Sequence, residues 1–273
     1  MKKTIVTGSF DDLCARDFRF LEEASKLGSL HVLLWSDETI QQIEGKQPRF
    51  PQAERMYLLQ AIRYVDGLTL VTGHGEQDAL PQIAAIQPDV WAVDEMGDSS
   101  QKRSYCEARG MAYYVVEENV LRRLPAASIE VDDKRTLRKK VVVTGSFDWL
   151  HSGHVRFFEE TAALGDLYVV VGHDDNIKLL KGEGHPLFSQ NERRYMVHSI
   201  RYVKQALISS GHGWMDAEPE IARIKPDIYA VNEDGDRPEK QAFCAEHDLA
   251  YVVLERLPKA GLPRRQSTVL RGF

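Results

Sequence analysis

The feature that most constrains the fold is that the chain repeats itself once. The octapeptide VTGSFDDL beginning at Val6 returns as VTGSFDWL beginning at Val143, with seven of eight residues identical. Further matches follow in the same order: Leu27-Gly28 with Leu164-Gly165, ERMYLLQAIRYV from Glu54 with ERRYMVHSIRYV from Glu192, and TGHG from Thr72 with SGHG from Ser210. QPDVWAVDEMGD from Gln87 then matches KPDIYAVNEDGD from Lys225, and AYYVV from Ala112 matches AYVVL from Ala250. The offset is 137 residues up to the Gly45/Gly182 loop and 138 beyond it. Copies of that length are domains of ordinary size, whereas a solenoid needs many short units. Between them AASIEVDDKRTLRKK, residues 126–140, has no apolar period and many charges. It reads as a linker between domains at 1–125 and 141–273.

Composition excludes several classes. With 43% hydrophobic and 28% charged residues among 273, the chain can bury an ordinary core. With a net charge of -6, nothing reads as a nucleic-acid tail, and no nucleic-acid partner is expected. MKKTIVTGSFDDL is too short in apolar residues for a signal sequence or a membrane span, so a cytoplasmic protein with no membrane partner is expected. Cys14, Cys106 and Cys244 form no CxxC pair, which points to free thiols, with neither a disulfide framework nor a zinc site. Cys106 and Cys244 hold equivalent repeat positions and are expected in the two cores.

Within the second copy, strands are expected at Val141–Gly145, Leu167–Gly172, Ala206–Ser209, Asp227–Val231 and Ala250–Leu254. Helical spacing fills His154–Leu164, Gln190–Tyr202, Asp216–Arg223 and Pro238–His247. Strands that are apolar runs rather than alternations, separated by helices, predict a parallel sheet covered on both faces. The fold class expected is α/β: two tandem Rossmann-like, doubly wound domains, each with a parallel five-stranded sheet. Such sheets bind ligands beyond the carboxyl ends of their strands.

The loop after the first strand of the second copy runs from Thr144 to His154. Gly145 allows close backbone approach, and Ser146 and Phe147 follow it. His151 and His154, three residues apart at a helix start, can point the same way, and together with the helix end they suit a phosphate.

With these residues the second copy resembles the cytidylyltransferase-like nucleotidyltransferase superfamily. GSFDWLHSGH from Gly145 is similar to its G-T-F-D-x-L-H-x-G-H signature. LLKGEGHPL places Lys181 where the family has a lysine in the loop after the second strand, as in the LKGxGRP segment of heptose-phosphate members. Glu192-Arg193 and Ile200-Arg201-Tyr202-Val203 match a helix containing ER and ending in RYVD, and Gln266-Ser267-Thr268 resembles the IS(S/T)T motif. The resemblance implies in-line attack by an acceptor phosphate or phosphonate oxygen on the α-phosphorus of a nucleoside triphosphate, with release of pyrophosphate. It implies that His151, His154 and Lys181 are catalytic, and that Gly145, Ser146, Phe147, Arg201, Ser267 and Thr268 bind the nucleotide. Ser267 and Thr268 would cap their short helix. Mg²⁺ would arrive with the triphosphate, and no protein metal site is expected.

Other positions carry two readings each. Asp174 and Asp175 bind acceptor or ribose, or are simply solvated. Arg201 holds phosphate or serves the scaffold, since Arg63 stands opposite it in the first copy. Asn232-Glu233-Asp234 replaces the family's glycine-containing segment, and Arg264 and Arg265 lie closer to Ser267 than the family arginine should. His173, His185 and His212 lack metal-ligand spacing.

In the first copy Cys14 stands opposite His151, Asp17 opposite His154 and Glu44 opposite Lys181. An acid pair repels a triphosphate instead of clamping it, so this copy is expected to be degenerate, and Asp11, Asp12 and Asp17 disfavour a Cys14 thiolate. Its expected role is that of a built-in partner, an intramolecular pseudo-dimer formed through the two IRYV segments. The function expected is transfer of CMP from CTP to a small phosphorylated alcohol, phosphonate or sugar phosphate. The alternatives are an ATP-dependent adenylyltransferase of the same fold and a non-catalytic nucleotide-binding regulatory protein.

Overall fold

The computed structural model describes residues 2–72, 80–128, 130–132 and 136–270. Of the Thr72–Gly75 repeat segment only Thr72 falls within them. The chain divides into two compact units, 1–124 and 125–273.

The first unit runs β1 (Lys3–Gly8), α1 (Ala15–Ser25), β2 (Ser29–Trp35), α2 (Asp37–Glu44), α3 (Gln52–Ala61), β3 (Gly67–Val71), α4 (Leu80–Ile86), β4 (Val90–Asp94), α5 (Ser100–Glu107), β5 (Ala112–Val116) and α6 (Glu118–Leu121). The second runs β6 (Lys140–Gly145), α7 (Ser152–Leu164), β7 (Asp166–Val171), α8 (Asp174–Lys181), α9 (Gln190–His198), β8 (Val203–Ile208), α10 (Glu218–Ile224), β9 (Ile228–Asn232), α11 (Pro238–Glu246), β10 (Ala250–Leu254) and α12 (Ser267–Leu270). Each unit holds one five-stranded sheet, ordered β3-β2-β1-β4-β5 and β10-β9-β6-β7-β8, and every pairing is parallel. This is the α/β, Rossmann-like pair of sheets that the sequence predicts. The direction of winding reverses between β1 and β4, and between β6 and β9, which opens a crevice at the carboxyl ends of those strands.

The central strands are buried on both faces, and their residues show why. In KVVVTG of β6, Val141, Val142 and Val143 are all inaccessible, as are Tyr168 and Val169 in DLYVVV of β7. One core gathers Val142, Tyr168, Leu207, Ile221, Tyr229 and Cys244, and the other gathers Ile5, Leu33, Val71, Ile83, Trp91 and Cys106. The two equivalent cysteines therefore sit in equivalent cores, where burial pushes each thiol up to about 11.

Three local features differ from expectation. Asp174–Lys181 is helix α8 rather than loop, so Lys181 is the last residue of a helix. The helix bearing Glu192-Arg193 ends at His198, and Ser199–Tyr202 is a turn into β8. Its cap Ser199 turns its hydroxyl back onto the Tyr195 carbonyl at 2.9 Å. The expected linker is also partly ordered on the second unit. Gln205 takes the Asp132 amide at 2.8 Å and donates to the Glu130 carbonyl at 2.7 Å, while Tyr168 donates to the Asp132 carbonyl at 2.8 Å. Among the described residues no helix is long and apolar enough to cross a membrane.

Candidate active site

The crevice of the second unit holds a cavity of about 490 Å³ lined by Thr144 to Phe147 after β6, Gly172 after β7, and Asn232 at the end of β9. That size suits a small-molecule ligand. A buried arginine fixes its floor. Arg193 on α9, 0% exposed, donates to the carbonyls of Ser146 at 2.5 Å and Gly172 at 2.7 Å and to Asp174 Oδ1 at 2.7 Å. One guanidinium thus ties together the loops after β6 and β7. Asp148 anchors the segment beyond α8 in a similar way, accepting the amides of Leu187 at 2.6 Å and Phe188 at 3.1 Å.

The loop after β6 is shaped by Phe147, which sits at φ +47. A Cβ on Gly145 would lie 2.9 Å from the Phe147 ring, so that glycine is what lets the ring tuck beneath the loop. Phe147 in turn meets His154 edge-on at 5.3 Å. Helix α7 starts at Ser152, with His151 as its N-cap: the His151 carbonyl accepts the amides of His154 and Val155, and its Nδ1 accepts the Gly153 N–H at 3.1 Å. The two imidazoles stack at 3.9 Å with their planes 18° apart.

Burial decides their charge. Burial, with Arg256 and Arg265 nearby, pushes His151 down to about 3, and burial together with His151, Arg256 and Lys181 holds His154 well below its ordinary value. Both are neutral at pH 7. Because His151 Nδ1 accepts a hydrogen bond, the neutral ring carries its proton on Nε2. That Nε2 is buried without a partner, as is Nδ1 of His154. A buried unsatisfied polar group costs about 1–3 kcal/mol, and of these two histidines only His154 lines the cavity.

His154, Gly145, Ser146, Phe147, Lys181 and Ser267 line the cavity together. Lys181 Nζ reaches Ser146 Oγ at 2.8 Å across it. His151 lies behind His154, 0% exposed. Ser267 opens α12, where the Gln266 carbonyl accepts the Leu270 amide, and the Ser267 hydroxyl points to the Trp149 carbonyl at 3.4 Å. Thr268 lies in that helix, its side chain outside the described residues. Asp174, Asp175 and Arg201 do not line the cavity. Asp174 is taken by Arg193, Asp175 sits in the first turn of α8, and Arg201 lies in the turn before β8, at the opposite end of the sheet.

Sequence reasoning missed Arg256, Lys240 and Trp214, all of which line the cavity with Arg264. Arg256, two residues past β10, pairs with Asp234 and donates to the Arg265 carbonyl at 3.1 Å. Its signal was position, not spacing: it follows the strand next to β9, so the topology delivers it to the crevice. Four cationic side chains (Lys181, Lys240, Arg256, Arg264) face two acids (Asp216, Asp234) in the lining, and Ser209 holds Asp216 at 2.6 Å. Among the described residues no group of three or more His, Cys, Asp or Glu could hold a metal ion.

A parallel sheet with a switch-point crevice, a histidine-capped helix and a cationic lining defines a protein that handles phosphorylated nucleotides. The comparisons make the class specific. Residues 142–250 match the family model described as cytidylyltransferase-like. The FAD synthase of Methanosarcina barkeri is 35% identical over 125 residues, 45% of this chain and 78% of that protein. That of Methanocella paludicola is 37% identical over 118 residues, 42% of this chain and 81% of that protein. For the FAD synthase of Ferroglobus placidus the figures are 39% over 97 residues, 35% and 60%, so the chain spans less than two thirds of that relative. The chain belongs to the cytidylyltransferase-like superfamily and is a nucleotidyltransferase.

Proposed function

We propose that the second unit transfers a nucleoside monophosphate, with ATP as donor, to a phosphate oxygen of a small phosphorylated acceptor. The attacking oxygen forms a new bond to the α-phosphorus, the bond to the β-phosphate bridging oxygen breaks, and pyrophosphate leaves. The observation that carries this is the pair of stacked, neutral histidines with unpartnered buried nitrogens, set across one cavity from Lys181. Positioning two anions and neutralising charge as it grows on the phosphate oxygens is the whole catalytic task. Lys181, within reach of the Ser146 loop, bridges donor and acceptor phosphates. His154 stabilises the α-phosphate with His151 behind it, and Arg256 with Ser267 and Thr268 holds the leaving phosphates. Mg²⁺ enters with the triphosphate.

ATP is preferred because the relatives carry the name FAD synthase, an activity that joins an adenylyl group to a flavin phosphate through a phosphoanhydride. CTP remains the competing donor, supported by the tandem architecture and the IRYV segments. Pyrophosphate release measured with each of four nucleoside triphosphates against a panel of phosphate monoesters tests the proposal. Release that requires an acceptor and is fastest with ATP is expected. Faster release with CTP would overturn the choice of donor, and acceptor-independent hydrolysis would overturn transfer itself.

A further inference from the structure

Two arginines in the cavity lining already hold carboxylates. Arg256 pairs with Asp234, and Arg264 lies 3.4 Å from Glu233. Both acids sit on one short 3-10 turn, Glu233–Gly235, that follows β9. Asp234 lines the cavity beside the two guanidinium groups, so a negative charge stands in the wall proposed to receive phosphates. A triphosphate approaching Arg256 must deal with that charge first.

The pair is built to come apart on the acid's side. The Arg256 side chain is 18% exposed and is fixed at its other nitrogen, Nη2 donating to the Arg265 carbonyl at 3.1 Å. The Asp234 side chain is 51% exposed, and among the described residues its carboxylate is hydrogen-bonded to Arg256 alone. Releasing the acid costs little, because water takes up a carboxylate that is already half in solvent. A guanidinium offers the same planar fork to a carboxylate and to a phosphate, so one can replace the other while the arginine stays in place.

Asp236, two residues further on, behaves differently. Its carboxylate accepts the Tyr251 hydroxyl and the Gln241 side-chain amide at 2.8 Å each, and it does not line the cavity. The first unit keeps this acid as Asp98, which accepts the Tyr113 hydroxyl at 3.0 Å. It does not keep Asp234. The equivalent residue is Met96, 88% exposed, and the residue equivalent to Arg256 is Glu118. The acid and the arginine stand together in one unit and are both missing from the other, whereas the acid that serves the turn stands in both.

We propose that Asp234 is an internal stand-in for phosphate: it neutralises Arg256 in the free protein, yields it to the incoming triphosphate, and takes it back as pyrophosphate leaves. The carboxylate competes with every phosphate that reaches Arg256, substrate and product alike, and so keeps pyrophosphate from being held after transfer. This rests on the nucleotidyl-transfer reading for the identity of the anions, but not for the exchange itself. A pair as exposed as this one is worth enough that removing the competitor tightens anion binding by ~2- to ~5-fold.

The test uses the full chain and calorimetry, with pyrophosphate as the probe, once with Mg²⁺ and once with EDTA. Asp234→Asn and Asp234→Met, the second copying Met96, should each tighten pyrophosphate by the ~2- to ~5-fold given above for a lost competitor, under both conditions. Asp236→Asn removes the same charge two residues away and should leave the affinity at its wild-type value. Equal tightening in Asp236→Asn would overturn the proposal, since a general loss of negative charge would then account for the gain. Weaker or unchanged binding in the Asp234 variants would also overturn it, and weakening confined to Mg²⁺ would make the carboxylate a carrier of the metal. Asp234 variants that bind pyrophosphate more tightly in a chain that releases none from any nucleoside triphosphate would support the exchange and overturn nucleotidyl transfer. Transfer by a chain whose Asp234 variants show unchanged pyrophosphate affinity would do the reverse.

Discussion

The two units share a scaffold and differ in what fills the crevice. In the first, Arg55 donates to the carbonyls of Ser9 at 2.6 Å and Trp35 at 2.9 Å and to Asp37 at 2.7 Å, as Arg193 does with Ser146, Gly172 and Asp174 in the second. Asp11 accepts the amides of Arg49 and Phe50 as Asp148 accepts those of Leu187 and Phe188. Phe10 sits at φ +44 and Phe147 at φ +47. Lys102 and Lys240 each reach the carbonyl of the equivalent glycine, Gly97 and Gly235. Residues that keep their bonds in both units serve the scaffold in both, and Arg193, Asp174 and Lys240 are among them.

The residues that change are those proposed to meet the phosphates. His151, His154, Lys181 and Arg256 correspond to Cys14, Asp17, Glu44 and Glu118, and Gly153 corresponds to Arg16. Arg16 lies 2.9 Å from Asp94 and 2.6 Å from Glu118. The first unit has inverted the charge of its crevice and then closed the ion pairs internally. The second crevice leaves Nδ1 of His154 buried without a protein partner, whereas in the first the equivalent Asp17 carboxylate accepts the Cys14 amide at 2.8 Å.

The sharpest way to break the comparison is to carry the first unit's plug into the second. A Cβ on Gly153 would lie 2.9 Å from His151 Cε1 and 3.0 Å from Nδ1, so Gly153→Arg displaces the stacked ring and fills the phosphate position. Turnover should fall by at least ~10³-fold, the upper range for loss of a transition-state donor. Melting should fall as well, because the first unit accommodates its arginine beside the smaller Cys14 and against Asp94 and Glu118, so turnover is read in variant protein that remains folded. Near-normal pyrophosphate release in a folded variant would show that Gly153 and the ring it admits are not part of the site.

Single changes at the catalytic set should cost less. His154→Ala and His151→Ala should each lower turnover ~10²- to ~10³-fold. Lys181→Glu, which copies Glu44, should cost at least as much as either histidine, with Lys181→Arg recovering only part, since a planar guanidinium does not replace a point ammonium. Initial rates in folded variants check both. Full activity in Lys181→Arg would reduce the lysine to a contribution to the general field.

Much of this was legible in the sequence because the repeat supplied an internal control. The division into two copies, the equivalent core cysteines and the loss of His151, His154 and Lys181 from the first copy all follow from aligning the chain with itself. Helix α8 was hidden because its eight residues fall inside a motif read as loop. Its signals were present: Asp174 and Asp175 in the first turn, Lys178 and Lys181 in the last, and a His173 cap accepting the Asn176 amide. Arg256 and Trp214 were not legible, because what brings them to the cavity is the order of strands in space and not a distance along the chain.

A smaller effect separates the units by pH. His151 is held at about 3 against an ordinary 6.5, so the folded state prefers the neutral ring. Its contribution to stability is complete above the unfolded value near 6.5 and is lost as pH falls from there towards 3. His154, also lowered, acts in the same direction. The melting temperature of the wild type should drop through that window, and His151→Gln should flatten part of the drop. An unchanged slope in the variant would mean that the imidazole is not kept neutral by the fold. Across pH 6 to 8 neither histidine should titrate, so turnover should show no limb from them.

The smallest effect is expected at Cys14, the residue that replaced His151. The thiol sits at the start of α1, where a helix end can lower a thiol's pKa and make it reactive. Here burial comes first and Asp17 second, together raising it from 9.0 to about 11. The Asp17 carboxylate accepts the Cys14 amide at 2.8 Å, so the acid is fixed beside the sulfur. At pH 8 only about one thiol in a thousand would be ionised, and the thiolate is the nucleophile. Cys14→Ser should therefore leave turnover unchanged, and iodoacetamide at pH 8 should modify Cys14 far more slowly than free cysteine. Alkylation at the rate of free cysteine would show that the first unit retained a reactive group in its crevice, and the contrast between a working site and a closed one would have to be redrawn.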